Sequence, residues 1–238
     1  MPSLRSKIPI VSFFSGGGFL DLAFEQAGFD VAFSNEIDED FSRFYKEGMS
    51  SWSGEDREIS HVGDLMEITS NDLRHIIEKQ TFGIIGGPPC QDFTLRGKRA
   101  GFDGVRGTHT YHFYERIMDF HPDFFVMENV PGLVLLKHTK DAFHSILNLY
   151  RQDYFIAHTI LNALHYGVPQ NRERLFVVGV KKTALAEVDL ASLGNDWFDW
   201  PEAIFPNAEK AYLWGEPGFK EAYRKTLPIP PDELCVSR

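Results

Sequence analysis

The chain has 238 residues, a net charge of −10, 43% hydrophobic residues and 24% charged residues, which is ordinary for a globular protein able to bury a large core. Cys90 and Cys235 are its two cysteines, too few for a disulfide framework, so a reducing cytoplasm that keeps a thiol free is the expected compartment. No apolar run approaches a membrane span, no signal-peptide core follows Met1, and the acidic balance argues against nucleic acid globally while leaving room for a local basic patch.

In chain order, Ile8 to Phe14 is a β-rich apolar run and a first strand. Ser15-Gly16-Gly17-Gly18 is a tight turn, and Phe19 to Ala27 has helical spacing that Gly28 ends. Asp30 to Ser34 is a second strand, followed by Asn35-Glu36-Ile37-Asp38 and a helix to about Tyr45. Lys46 to Glu58 reads as a polar loop, Ile59 to Asp64 as a short third strand, and Asn71 to Lys79 as a helix. Phe82 to Gly86 is a fourth strand, ended by Gly-Pro-Pro-Cys. Leu95 to Gly107 is a glycine-rich loop, Thr108 to Phe120 a helix, Phe124 to Met127 a fifth strand and Leu133 to Leu149 a helix. Tyr154 to Leu161 and Leu175 to Val180 are two last strands with no helix between them, hence an antiparallel pair. Strands alternating with helices predict an α/β fold with a mostly parallel sheet and an antiparallel strand near its C-terminal end. After Lys182 prolines and tryptophans recur and periodicity fades, so residues 1–182 form the expected main domain and 183–238 an extension.

Chemistry-bearing residues gather where strands end. The glycine turn lets backbone approach a ligand, but Asp21 stands where a dinucleotide fingerprint has its third glycine. Glu36, twenty positions after Gly16, sits where a carboxylate accepts hydrogen bonds from ribose hydroxyls, and Asp64 can meet the polar edge of an adenine. Together they describe a nucleoside cofactor that needs no pyrophosphate; the plain alternative is a tight turn with solvated acids. Cys90 sits in a rigid turn at the expected carboxyl edge of the sheet rather than inside an apolar run. Glu128 follows the fifth strand, where a carboxylate is costly unless paired or protonated. Arg172 and Arg174 face one side if the chain there is extended. Structural alternatives exist for each: a core thiol, a core ion pair and an exposed strand edge.

Six segments occur in one order: Phe-Phe-Ser-Gly-Gly-Gly-Phe, Asn-Glu-Ile-Asp, Gly-Asp-Leu, Gly-Pro-Pro-Cys-Gln-Asp-Phe-Thr, Glu-Asn-Val-Pro-Gly and Gln-Asn-Arg-Glu-Arg. From about Ile10 to Gly179 the chain resembles the DNA (cytosine-5) methyltransferase family, restriction-modification type. The resemblance implies a Rossmann-like S-adenosyl-L-methionine-dependent methyltransferase fold and methyl transfer to C5 of cytosine in double-stranded DNA, leaving S-adenosyl-L-homocysteine. It implies that Cys90 adds to cytosine C6, that Glu128 bonds N3 and the exocyclic amine, and that Arg174 contacts O2 with Arg172 supporting the site. Phe14, Ser15, Gly16, Gly18, Phe19, Leu20, Glu36, Ile37, Asp64, Leu65 and Pro88 would line the cofactor pocket. No metal is implied. The loop bearing Gln91, Thr94, Arg96, Lys98, Arg99 and Arg106 would close over a flipped base and meet phosphates; its plain alternative is a solvated surface loop.

The chain departs from the family after Gln-Asn-Arg-Glu-Arg. No counterpart of the family's Arg-rich element or of its Gly-Asn-Ser-Val-type segment is found, and Lys181 to Arg238 carries seven Lys/Arg against ten Asp/Glu. The resemblance thus points to a catalytic subunit whose second protein chain supplies target recognition, with Trp197, Trp200, Phe205, Trp214 and Phe219 suited to an interface. A truncated form and a compact variant are the alternatives. Rival activities are a tRNA cytosine-5 methyltransferase and a non-catalytic cofactor-binding module.

Overall fold

The computed structural model describes residues 7–78, 81–89, 109–185 and 197–206. Its elements are β1 (Pro9–Phe13), α1 (Phe19–Gln26), β2 (Asp30–Glu36), α2 (Glu39–Ser53), β3 (His61–Val62), α3 (Arg74–Ile77), β4 (Gly83–Gly86), α4 (His109–Phe120), β5 (Phe124–Asn129), α5 (Gly132–Leu135), α6 (Lys137–Tyr150), β6 (Tyr154–Asn162) and β7 (Glu173–Lys181). Among the described residues one sheet runs in the order β3-β2-β1-β4-β5-β7-β6. β1 pairs parallel with β2 and β4, β2 with β3, and β4 with β5. β7 alone is reversed, antiparallel to both β5 and β6. The expected architecture is therefore present, and β7 inserts between β5 and β6 because its short connection from β6 allows only a reversed neighbour.

Most of the core lies on one face, where α4 and α6 bring Phe113, Ile117, Phe143 and Leu147 onto Val11, Phe13, Ile84, Phe125 and Met127. A smaller cluster on Ile10, Val31 and Ile85 lies under Leu20 and Phe24 of α1. Burying each such side chain removes about 1.5–3 kcal/mol of exposed apolar surface from water. Close approach of β1 to β4 depends on Gly86, where an added Cβ would lie 2.6 Å from the Phe13 carbonyl oxygen.

Four local expectations need correction. The expected loop from Lys46 is helical to Ser53: Asp38 caps α2 through the Asp40 and Phe41 N–H groups, and Gly54 ends it in a left-handed conformation. Its buried residues are Tyr45 and Met49, four apart on one helical face, set in a stretch rich in charged and polar residues that reads locally as a loop. The expected helix from Asn71 shrinks to one turn at α3, with Asp72 bonding Thr69 instead of continuing it. The helix expected from Leu133 is split at Leu136, which is extended at φ −81° and ψ 131°. β5 continues to Asn129 and β7 begins at Glu173, so Glu128 and Arg174 are strand residues rather than flanking ones.

Beyond β7, Trp197 packs its ring 6.2 Å from Phe155 on β6, and the Ile204 and Phe205 N–H groups donate to the His165 carbonyl. No helix among the described residues is long and apolar enough to cross a membrane.

Candidate active site at the carboxyl edge of the sheet

The chain winds outward from β1 through β2 to β3, then returns to place β4 on the other side of β1. The connections after β1 and β4 therefore diverge, and such a switch point is where open α/β sheets hold ligands. A cavity of about 640 Å³ lies there. Its lining joins Phe14, Ser15, Gly16, Phe19 and Leu20 from the first turn to Gly87 after β4, Glu128 on β5, and Gln170, Arg172 and Phe176 around β7. Two sets of sequence-predicted residues thus share one space.

The glycine turn is pinned by main chain. The Ser15 N–H donates to the Asn35 carbonyl at 3.0 Å, and the Gly18 N–H to the Ser15 carbonyl at 3.0 Å. Gly18 has φ +83°, and an added Cβ would lie 2.9 Å from the Tyr45 ring, so the turn rests directly on α2. Phe14 holds φ +53°, a left-handed conformation that costs a non-glycine residue on the order of 1–3 kcal/mol. Its ring meets His109 edge-on at 5.7 Å.

Glu36 ends β2 with a carboxylate that accepts three main-chain N–H groups: Gly16 at 2.8 Å, Ile37 at 2.9 Å and Asp38 at 3.0 Å. Asp64 spends one oxygen capping a 3-10 turn through the Met66 N–H at 2.9 Å. Asn35 positions that turn by donating to the His61 and Gly63 carbonyls. Gly18, Glu36, Ile37, Asp64, Leu65, Pro88 and Arg174 are not part of the cavity lining. Leu65 instead buries its side chain in the core, while Glu36 reaches the cavity through its bond to Gly16. Acidic acceptors beside an open glycine turn suit hydroxyl and amine donors and repel phosphate. No side-chain clash blocks the turn: a Cβ on Gly16 would meet nothing within 4 Å. This acceptor set fits the hydroxyl and amine donors of the nucleoside part of S-adenosylmethionine.

On the other wall Glu128 lies opposite Phe176 in the β5–β7 ladder, and its Oε1 is 2.7 Å from Arg174 Nε. A Cβ on Gly87 would come within 3.2 Å of its Oε2, so that oxygen faces the turn after β4 at close quarters. Arg174 Nη1 donates to the Glu173 carbonyl at 2.7 Å. Arg172 is exposed and shares the cavity with Glu128. Asn129 Nδ2 donates to the Pro88 carbonyl at 3.0 Å, tying β5 to the turn that leads into Cys90. Cys90 itself, with Gln91, Thr94, Arg96, Lys98, Arg99 and Arg106, lies outside the described residues, as do Trp214 and Phe219.

Ser12 and Phe176 were not singled out by the sequence; Asn35, Asn129 and Gln170 stood within quoted segments without a role, and Asp21 only where a third glycine was missing. The two asparagines had a signal in hindsight: each follows or precedes a strand-end glutamate and is buried, where an amide must be bonded.

Residues 8–225 match the family model of C-5 cytosine-specific DNA methylases. The chain belongs to that family. Among C-5 cytosine methylases it is 38% identical over 216 residues to type II methyltransferase M.NmeDI of Neisseria meningitidis serogroup C, covering 86% of this chain and 50% of that protein. It is 35% identical over 182 residues to M.AquIA of Picosynechococcus, covering 71% of each. A crystal structure named as a DNA modification methyltransferase encoded in an E. coli prophage superposes with a TM-score of 0.57 at 30% identity, covering 74% of this chain and 47% of that one. The Entamoeba histolytica methyltransferase EhMeth shares the fold, with a TM-score of 0.56 at 19% identity over 74% of this chain and 53% of that one. The chain spans about half the length of most curated relatives it matches.

Proposed function

We propose that the chain carries the catalytic half of a type II restriction-modification methyltransferase acting on C5 of cytosine in double-stranded DNA. The supporting observation is the single cavity lined both by the glycine turn and by Glu128 with Arg172. Phe14, Ser15, Gly16, Phe19 and Leu20 would hold S-adenosylmethionine, with Glu36 at the ribose, Ile37 and Asp64 at the adenine, and main chain at Gly18, Leu65 and Pro88. When bound, the cofactor supplies an electrophilic methyl group.

Cytosine C5 is a poor nucleophile. On this reading the Cys90 thiolate adds to C6, which makes C5 enamine-like and able to take the methyl group that the donor would supply as its carbon–sulfur bond breaks and a neutral thioether leaves; loss of the C5 proton and elimination of the thiolate then restore the ring and the enzyme. Glu128 bonds N3 and the exocyclic amine and stabilises the charge that develops on addition. Arg174 orients Glu128 through its Nε and meets O2, and Arg172 supports the same wall. The target atoms are stacked within a duplex, so the base is flipped out, and Gln91, Thr94, Arg96, Lys98, Arg99 and Arg106 meet the DNA around it. Residues 1–182 carry the chemistry, and 183–238 meet the part of the enzyme that chooses the target. That part corresponds to the half of the relatives this chain does not span, whether in a second chain or in the same one.

The experiment is covalent trapping on 5-fluorocytosine, which blocks loss of the C5 substituent, placed in duplex DNA and in tRNA. With S-adenosylmethionine present, a denaturant-stable complex is expected on DNA, and Cys90→Ser is expected to abolish it while still binding cofactor. Trapping on tRNA alone would replace this reading with the RNA one. Trapping by Cys90→Ser would remove the nucleophile assignment.

A further inference from the structure

Taking the cavity as a S-adenosylmethionine site, we propose that Asp21 is a positioning residue: a fixed negative charge beneath the cavity that favours the positively charged methyl donor over its product. Asp21 lies in the first turn of α1, belongs to the cavity wall and has no solvent exposure. Its carboxylate accepts from Ser12 Oγ at 2.5 Å and from the Tyr45 hydroxyl at 3.0 Å. Ser15 Oγ in turn bonds Ser12 Oγ at 3.1 Å. One carboxylate is thereby wired to β1, the glycine turn, α1 and α2.

Both donors are neutral, so the charge is held in place without being cancelled. The charged and titratable groups that face it are Glu25 from α1, Tyr45 from α2 and Arg57 beyond α2; β1 contributes only Ser12. Glu25 and Arg57 are bonded to each other and largely offset one another. Burial pushes the Asp21 carboxyl up to about 6, against the two hydrogen bonds that pull it down. Its ionised form is therefore a standing cost to the fold near neutral pH. A wholly structural tie between these elements needs no charge, since an amide oxygen accepts the same two bonds. The methyl donor carries a sulfonium and an ammonium, whereas the product keeps the ammonium but has a neutral sulfur. A negative charge under the cavity thus separates the two ligands and eases product departure.

The test is calorimetric titration of the full chain with S-adenosylmethionine and with S-adenosylhomocysteine between pH 5 and 8, alongside thermal unfolding. In Asp21→Asn at pH 7.5 the donor is expected to bind about tenfold more weakly, an ordinary charge–charge effect at a partly buried site, and the product less than about twofold. Wild-type donor affinity is expected to fall on acidification through about pH 6, and this fall is absent from Asp21→Asn. Tyr45→Phe keeps the charge but removes a donor, so it retains the preference and moves the fall to higher pH. Equal weakening of both ligands in Asp21→Asn, or loss of preference in Tyr45→Phe, would overturn the proposal. If wild type binds neither ligand, the cofactor assignment of the cavity falls, and the role of Asp21 with it.

Discussion

Two carboxylates, Glu36 on β2 and Glu128 on β5, stand at the same sheet edge with β1 and β4 between their strands, and they are held in opposite ways. Glu36 is buried and accepts three main-chain N–H groups from the turns around it. Glu128 has 29% of its side chain exposed and is held by one guanidinium, itself 23% exposed. A carboxylate fixed by main chain is part of the fold and cannot leave without disturbing the turns. One fixed by a side chain can exchange partners, as a group that must meet a visiting base does. On the proposed reading the cofactor side of the cavity is thus built into the backbone, and the target side from exchangeable side chains.

Breaking the backbone side has the largest expected effect. Gly86→Ala places a Cβ against the Phe13 carbonyl oxygen, and a loss of about 3 kcal/mol or more is expected in denaturant unfolding. Asp21 acts in the other direction. Its carboxyl is raised from 3.8 to about 6, so its contribution to stability is present below pH 4 and lost as pH rises through 6. Relative to wild type, Asp21→Asn is expected to gain up to about 3 kcal/mol across that window, read from unfolding curves at pH 4 and pH 7. Glu36→Gln can keep its oxygen on the Ile37 and Asp38 N–H groups and then turns its amide nitrogen to the Gly16 N–H, with an expected loss of about 1–3 kcal/mol in denaturant unfolding. On the side-chain half, Arg174→Ala removes a partly exposed ion pair, and its stability is expected to stay within about 1 kcal/mol of wild type while methyl transfer is lost.

The same division explains what the sequence made legible. The glycine turn, Glu36 at the end of β2 and the Ile84-Ile85 strand are local patterns in which neighbours in sequence are neighbours in space. Glu128 and Arg174 were visible as residue types, but their ion pair depends on β7 inserting beside β5, a long-range pairing that no local pattern announces. Asp21 was noticed only as a missing glycine, because its partners lie 9 and 24 residues away. The second half of α2 was hidden because its outward face bears Phe44 and Trp52 exposed, while its buried contacts reduce to Tyr45 and Met49.

The most direct measurement of the division between backbone-built and side-chain-built halves is calorimetric binding of S-adenosylmethionine to wild type, Glu36→Gln and Arg174→Ala at pH 7.5. Wild type and Arg174→Ala are expected to bind alike within about twofold, and Glu36→Gln at least about tenfold more weakly, the scale of one charge-assisted hydrogen bond. Equal weakening in both variants, or wild-type affinity in Glu36→Gln, would contradict it.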